Sequence, residues 1–245
     1  EESTDVLNAD DMVNLLLDYV EIDFSDKSFD LKQVFPFMPN SYVFKAGDLA
    51  VLTGNTKLGK TAFLQYVVSC IPSVKTLYMS LEVDQATMAR RFTQQAMLKS
   101  KDALTLETLK NKMKHLELIT TSPDISKYGE MIQQHKPKIV VVDTVDMVPA
   151  RFAGTNSFEK QEHVFETLKK IAMTEDIIMI AVVHISKQAH YALKEGQELD
   201  VHMSKGSTAV GQKADKVIAL EQVSEGSRKR RIRAVASRDD TGFEI

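Results

Sequence analysis

The sequence predicts an α/β fold, a mostly parallel central sheet with helices on both faces, preceded by an N-terminal linker helix. Three observations predict it. Apolar strand-like runs alternate with helical stretches along most of the chain. Two of those runs, "KIVVV" at 138–142 and "IIMIAVV" at 177–183, are almost wholly β-branched and apolar, as in strands buried on both faces. A turn holding two glycines, in "LTGNTKLGKTAF" at 52–63, stands between the first run and the first helix of the alternating part.

In order, strands are expected at 48–53, 76–81, 138–142, 177–183, 216–220 and 231–236, and helices at 60–69, 86–98, 105–114 and 158–173. The N-terminal stretch "NADDMVNLLLDYV" at 8–20 has Asn8 as a helix cap, acids in the first turn and one apolar face. That face either packs on its own domain or docks on a neighbouring subunit. Residues 23–46, with "FPFMPN", read as irregular linker and turn. The division expected is 1–46 as linker and 47–245 as one domain. The chain opens without Met, shows no signal or transit segment, and ends in a strand-like run, so it reads as a domain cut from something longer.

Bulk properties narrow the function. With 245 residues and 43% hydrophobic content, there is ample material for a core. A formal charge of −3 argues against a generally basic nucleic-acid coat, so any such binding is local. The single cysteine, Cys70, suits a reducing, cytoplasmic setting. No apolar run reaches the ~20 residues of a membrane helix, so no membrane partner is expected. His184 and His190 lack a zinc spacing, which leaves Mg²⁺ as the metal to expect.

The chemistry starts at Gly54-Asn55-Thr56-Lys57-Leu58-Gly59-Lys60-Thr61, followed by Ala62. It matches G-x-x-x-x-G-K-[ST] at every fixed position, between a strand and a helix. Such a loop points backbone N–H groups at phosphate oxygens, and the helix N-terminus adds positive potential. Lys60 would reach the outer phosphates of ATP or another NTP, and Thr61 would offer its hydroxyl to Mg²⁺. Hydrolysis needs more carboxylates. Asp143 closes "KIVVV", where a parallel strand would deliver it beside the loop as the second metal ligand. Glu82 closes "TLYMSL" at another strand tip, as either a base for water or an ordinary strand-end acid.

At this point the residues resemble the RecA-like ATPase domain of DnaB-type replicative helicases, including the helicase halves of phage primase–helicases. The blocks are "GDLAVLTGNTKLGKTAF", "LYMSLEVDQATMARRF", "KIVVVDTVDMV", "IIMIAVVHISK", "KGSTAVGQKADKVIALE" and "RIRAVASRDDTGFEI". The resemblance implies a RecA-like P-loop NTPase fold from Gly47 to Ile245. It implies Glu82 as the catalytic glutamate, Asp143 as the Walker B aspartate and His184 as the γ-phosphate sensor. Read alone, His184 also fits a core histidine. Arg238 would be the arginine finger that reaches a neighbour's nucleotide, where the bare sequence also allows a solvated arginine. Two departures stand out. Ala236 replaces a lysine common in relatives, which would shift charge in trans onto Arg238, Lys216 or Arg233. Met203-Ser204-Lys205 replaces Asp-Leu-Arg.

The resemblance also implies a ring, expected to be a hexamer, with loops 151–161 and 186–205 facing a channel. Lys187, Lys194 and Lys205 would then touch single-stranded DNA, with primase or other replisome proteins as partners, in a bacterial or phage-infected cell. On composition alone these lysines read equally as solvated loop residues. A RecA-like recombinase or mediator, or a nucleotide-dependent regulatory subunit that does not translocate, fits the same loop.

Overall fold

The computed structural model describes residues 27–98, 105–151, 157–186, 200, 203, 207–224, 227, 229–238 and 244. The helix expected at 8–20 and the lysines Lys187, Lys194 and Lys205 lie outside them. The elements run β1 (Ser28–Asp30), α1 (Leu31–Val34), β2 (Val43–Lys45), β3 (Leu49–Gly54), α2 (Lys60–Cys70), β4 (Thr76–Ser80), α3 (Gln85–Leu98), α4 (Leu106–Met113) and β5 (Leu116–Ile119). They continue with α5 (Tyr128–His135), β6 (Ile139–Asp143), α6 (Ser157–Thr174), β7 (Ile178–His184), α7 (Ser207–Lys213), β8 (Lys216–Gln222) and β9 (Arg230–Ser237). Among the described residues, no helix is long and apolar enough to cross a membrane.

Seven strands form one sheet in the order β5-β4-β6-β7-β3-β8-β9, parallel except for the antiparallel β8–β9 pair. Successive residues of β3 serve opposite faces. Ala50 and Leu52 join one core with Leu64, Val67 and Val68 of α2 and Met88 and Phe92 of α3. Leu49 and Val51 join the other with Ile132 of α5, Phe165 and Leu168 of α6 and Val210 of α7. Strands covered on both faces need no polar alternation, which explains the unbroken apolar runs. Each Val, Leu, Ile, Met or Phe side chain fully buried there contributes about 1.5–3 kcal/mol.

Three features depart from the sequence reading. Residues 27–46, read as irregular, hold the antiparallel β1–β2 pair and a one-turn helix. Phe29 stacks on Phe44 at 4.6 Å, and both enter the α2-side core with Leu31, Val34, Met38 and Tyr42. The aromatic-proline composition hides this, because strands of three residues carry almost no periodicity. Strand β5 was not expected, since its four residues are all only half-buried at the sheet's edge. Residues 158–161, which the sequence reading assigns both to the helix at 158–173 and to the channel loop at 151–161, belong to α6, so the loop is shorter than expected.

Candidate active site

The strand order sets four carboxyl tips side by side: β4, β6, β7 and β3. At the last, Gly54 pairs with His184 on one side and Leu220 on the other. Its φ is +150°, and a Cβ there would lie 2.4 Å from the carbonyl oxygen of Leu220. Only glycine permits that approach of β3 to β8. The chain then turns through Lys57 (φ 66°) and Gly59 (φ 98°), and Gly59 caps α2 without a side-chain bond, leaving the helix's first N–H groups facing the loop. Residues 54–62 therefore form the expected strand–loop–helix cradle.

Lys60 is buried, and its ammonium donates to the carbonyls of Gly54 at 2.8 Å and Asn55 at 3.0 Å. Burial lowers its pKa, opposed by the nearby carboxylates of Asp143, Glu82 and Asp146. The ammonium thus lies close to three acids while resting on two carbonyls. Asp143 is 3% exposed, and burial raises its pKa against bonds from Thr61 and Tyr78 and the charges of Lys60 and His184. A buried carboxylate bonded to a threonine hydroxyl fits Mg²⁺, which takes few protein oxygens and completes its shell with water and phosphates. Thr61 and Asp143 would hold it.

Glu82 sits in the turn after β4, which is fixed from three sides. Leu81 N–H donates to the Asp143 carbonyl at 2.7 Å, Ser80 Oγ donates to the Val83 carbonyl at 2.8 Å, and Asp84 Oδ1 caps α3 by accepting from Thr87 N–H at 2.9 Å. The register Ser80–Asp143 places Glu82 beside the Asp143 tip. Its side chain is 43% exposed, so it faces solvent rather than the core. His184 Nε2 lies 4.0 Å from Glu82 Oε1. The structure therefore brings Lys60, Thr61, Glu82, Asp143 and His184 together at one edge.

Arg238 is not there. Because β9 runs antiparallel, its end meets Lys216 at the start of β8, and the Arg238 N–H donates to the Asp215 carbonyl at the opposite edge of the sheet. The six residues of β3 separate the two edges by about 20 Å. Its guanidinium donates to the Gln212 carbonyl at 2.9 Å and pairs with Asp215 at 3.2 Å, with over half of the side chain exposed. Asp215 also accepts from Leu49 N–H and Lys169, both at 2.7 Å. The other two cations considered there are committed elsewhere. Lys216 is buried under the Tyr42 ring at 5.0 Å, and Arg233 pairs with Glu221 at 3.2 Å.

Comparison with known families agrees with the fold. Residues 36–190, more than half the chain, match the family model described as AAA domain. The chain belongs to the AAA domain family. This AAA domain is similar to the solved ATPase domain of another protein, with a TM-score of 0.77 and 16% identity over 98% of this chain and 95% of that one. It is similar to a DnaB-like replicative helicase solved for its interactions with primase, at TM-score 0.69 and 16% identity, covering 82% of this chain. The chain spans 56% of that helicase's length. A KaiC-like protein from the hyperthermophilic archaeon Pyrococcus horikoshii gives a TM-score of 0.57 at 16% identity, over 80% of this chain and 82% of that one. None of the curated proteins compared with the chain matches it in sequence. At such identity the likeness is one of fold, and it bears out the RecA-like class and the resemblance to DnaB-type ATPase domains.

Three polar residues of this AAA domain were missed by the motif reading. Tyr78, fully buried in β4, donates its hydroxyl to Asp143 Oδ2 at 2.9 Å across the β4–β6 pair. Asp146 bonds His184, and Gln161 bonds Asp146. Tyr78 and Asp146 lie inside quoted blocks, but apolar and helical patterning carries no sign of a cross-strand bond. Burial drives the Tyr78 pKa well above the usual tyrosine value, so it acts as a donor throughout. Tyr78→Phe keeps the edge contact with Phe92 (5.5 Å) and removes only the hydroxyl. We expect it to lower unfolding stability by about 1–3 kcal/mol in a urea titration, the cost of a buried carboxylate losing a donor. An unchanged midpoint would mean the bond is not what orients Asp143.

Proposed function

We propose that this chain is the ATP-hydrolysing module of a ring-forming helicase that translocates on single-stranded DNA and unwinds duplex. The observation that carries this reading is the separation of Arg238 from the phosphate loop by the depth of the sheet. Within one chain the arginine has no route to the nucleotide. In a head-to-tail ring, each copy offers its Arg238 edge to the nucleotide edge of the next. By resemblance that ring is a hexamer.

The roles follow from position. The N–H groups of 54–62 and the N-terminus of α2 hold the triphosphate. Lys60 exchanges its two carbonyl partners for outer phosphate oxygens, a favourable trade for a partly desolvated ammonium. Mg²⁺, held by Thr61 and Asp143, would supply neutralising charge on the phosphates. Glu82 takes the proton of the attacking water, and His184 reports on the γ-phosphate. The next copy's Arg238 meets charge that develops as the γ-phosphoryl departs. Lys187, Lys194 and Lys205 track the DNA backbone, a few cations per copy multiplied by the ring. A primase is the proposed partner, in a cytoplasmic setting.

The test is nucleotide turnover measured with and without single-stranded DNA, together with particle mass in nucleotide. Stimulation by DNA and a six-copy mass are expected. Turnover indifferent to DNA would point instead to a regulatory subunit, and filaments to a recombinase.

A further inference from the structure

His184 stands between two carboxylates. Its Nδ1 lies 3.1 Å from Oδ2 of Asp146, and its Nε2 lies 4.0 Å from Oε1 of Glu82. The other oxygen of Asp146 accepts from Nε2 of Gln161, on α6, at 2.9 Å. Asp146 and His184 are each only 16% exposed. Asp146 sits in the short 3₁₀ turn after β6 (Val145–Met147), so β6, β7 and α6 meet at this one carboxylate.

We infer that Asp146 is a positioning residue, which fixes the His184 ring so that Nδ1 carries a proton and Nε2 is the nitrogen turned to Glu82. The inference rests on the hydrolase reading above for its consequence, but its geometry stands alone. A carboxylate only accepts, so the nitrogen 3.1 Å from it must donate. An imidazole free to flip would present either nitrogen, or a carbon, to the glutamate. The bond from Gln161 helps hold the carboxylate itself, with the amide N–H on one oxygen and the ring nitrogen on the other. In Asp146→Asn that division is lost. One arm becomes a donor, the Gln161 amide can turn to suit either arm, and Nδ1 is no longer obliged to keep its proton.

Two measurements on the full chain decide this. The first is the ¹⁵N spectrum of the His184 imidazole. It is expected to show Nδ1 protonated in the parent, and an appearance of the Nε2-only tautomer in Asp146→Asn. A parent spectrum with bare Nδ1 would overturn the inference, whether or not the protein turns over nucleotide. The second is a mutant cycle on turnover. Asp146→Asn is expected to lower kcat by about 10-fold to 100-fold, the usual effect of losing an orienting partner, with KM little changed. In a His184→Gln background, where no imidazole needs orienting, the same substitution is expected to cost little. Equal losses in both backgrounds would show Asp146 to be a structural support only. A parent without turnover would instead sink the hydrolase reading and leave the spectrum to judge Asp146.

Discussion

Glu82→Gln is expected to cut nucleotide turnover by about 10²–10⁴-fold, the span associated with loss of a general base, while leaving affinity for an ATP analogue essentially intact. The substitution is nearly isosteric and removes only the ability to accept a proton. The turn that carries it is pinned by Leu81, Ser80 and Asp84, none of which depends on the Glu82 side chain. The residue belongs to none of the three buried clusters, so folding is expected to be unaffected. Its value lies in where β4 ends: beside Asp143, with His184 4.0 Å away and the buried Lys60 feeling its charge. Steady-state turnover and equilibrium analogue binding check both halves. Turnover within a factor of a few of the parent would return Glu82 to the status of an ordinary strand-end acid.

Arg238→Ala is expected to lower turnover by about 10³–10⁵-fold, the range attached to arginine fingers, again without a matching loss of affinity. The stability cost is expected to be small. The Arg238 side chain is over half exposed, and the buried Asp215 carboxylate keeps Lys169 and Leu49 N–H as partners without it. Given the distance between the two edges of the sheet, the proposed effect would be intermolecular, and that has its own signature. Mixing Arg238→Ala chains with Lys60→Ala chains should recover part of the lost turnover, because some interfaces then pair an intact loop with an intact finger. No recovery on mixing, or a fall in affinity equal to the fall in turnover, would contradict a role in trans.

Much of this was legible in the chain because the physics is local. A loop that must wrap phosphates needs two glycines at fixed positions, and Gly54 meets the Leu220 carbonyl so closely that the requirement is visible in the structure. Parallel strands buried on both faces write themselves as unbroken apolar runs, so β6 and β7 were placed to within a residue at each end. Asp143 and Glu82 followed from one rule, that parallel strands deliver their last residues to a common edge. What stayed hidden depends on contacts far apart in sequence. The bond from Tyr78 to Asp143 crosses two strands 65 residues apart. Asp146 to His184 spans 38 residues. The β1–β2 pair is too short for periodicity and is stabilised by packing of Phe29, Phe44 and Tyr42 against the sheet, including a Tyr42 hydroxyl bond to the Ala236 carbonyl 194 residues on. The sequence offered Lys216 as a cation that could act in trans, yet its position at the start of β8 puts it in the interior.

The most direct measurement is a crystal structure of the chain with magnesium and a non-hydrolysable ATP analogue. The β- and γ-phosphates should lie against the amides of residues 57–61, with Lys60 withdrawn from its carbonyl partners and the cation between the Thr61 hydroxyl and Asp143. Nucleotide bound anywhere else, with Lys60 still resting on Gly54 and Asn55, would contradict the assignment of this edge as the site of hydrolysis.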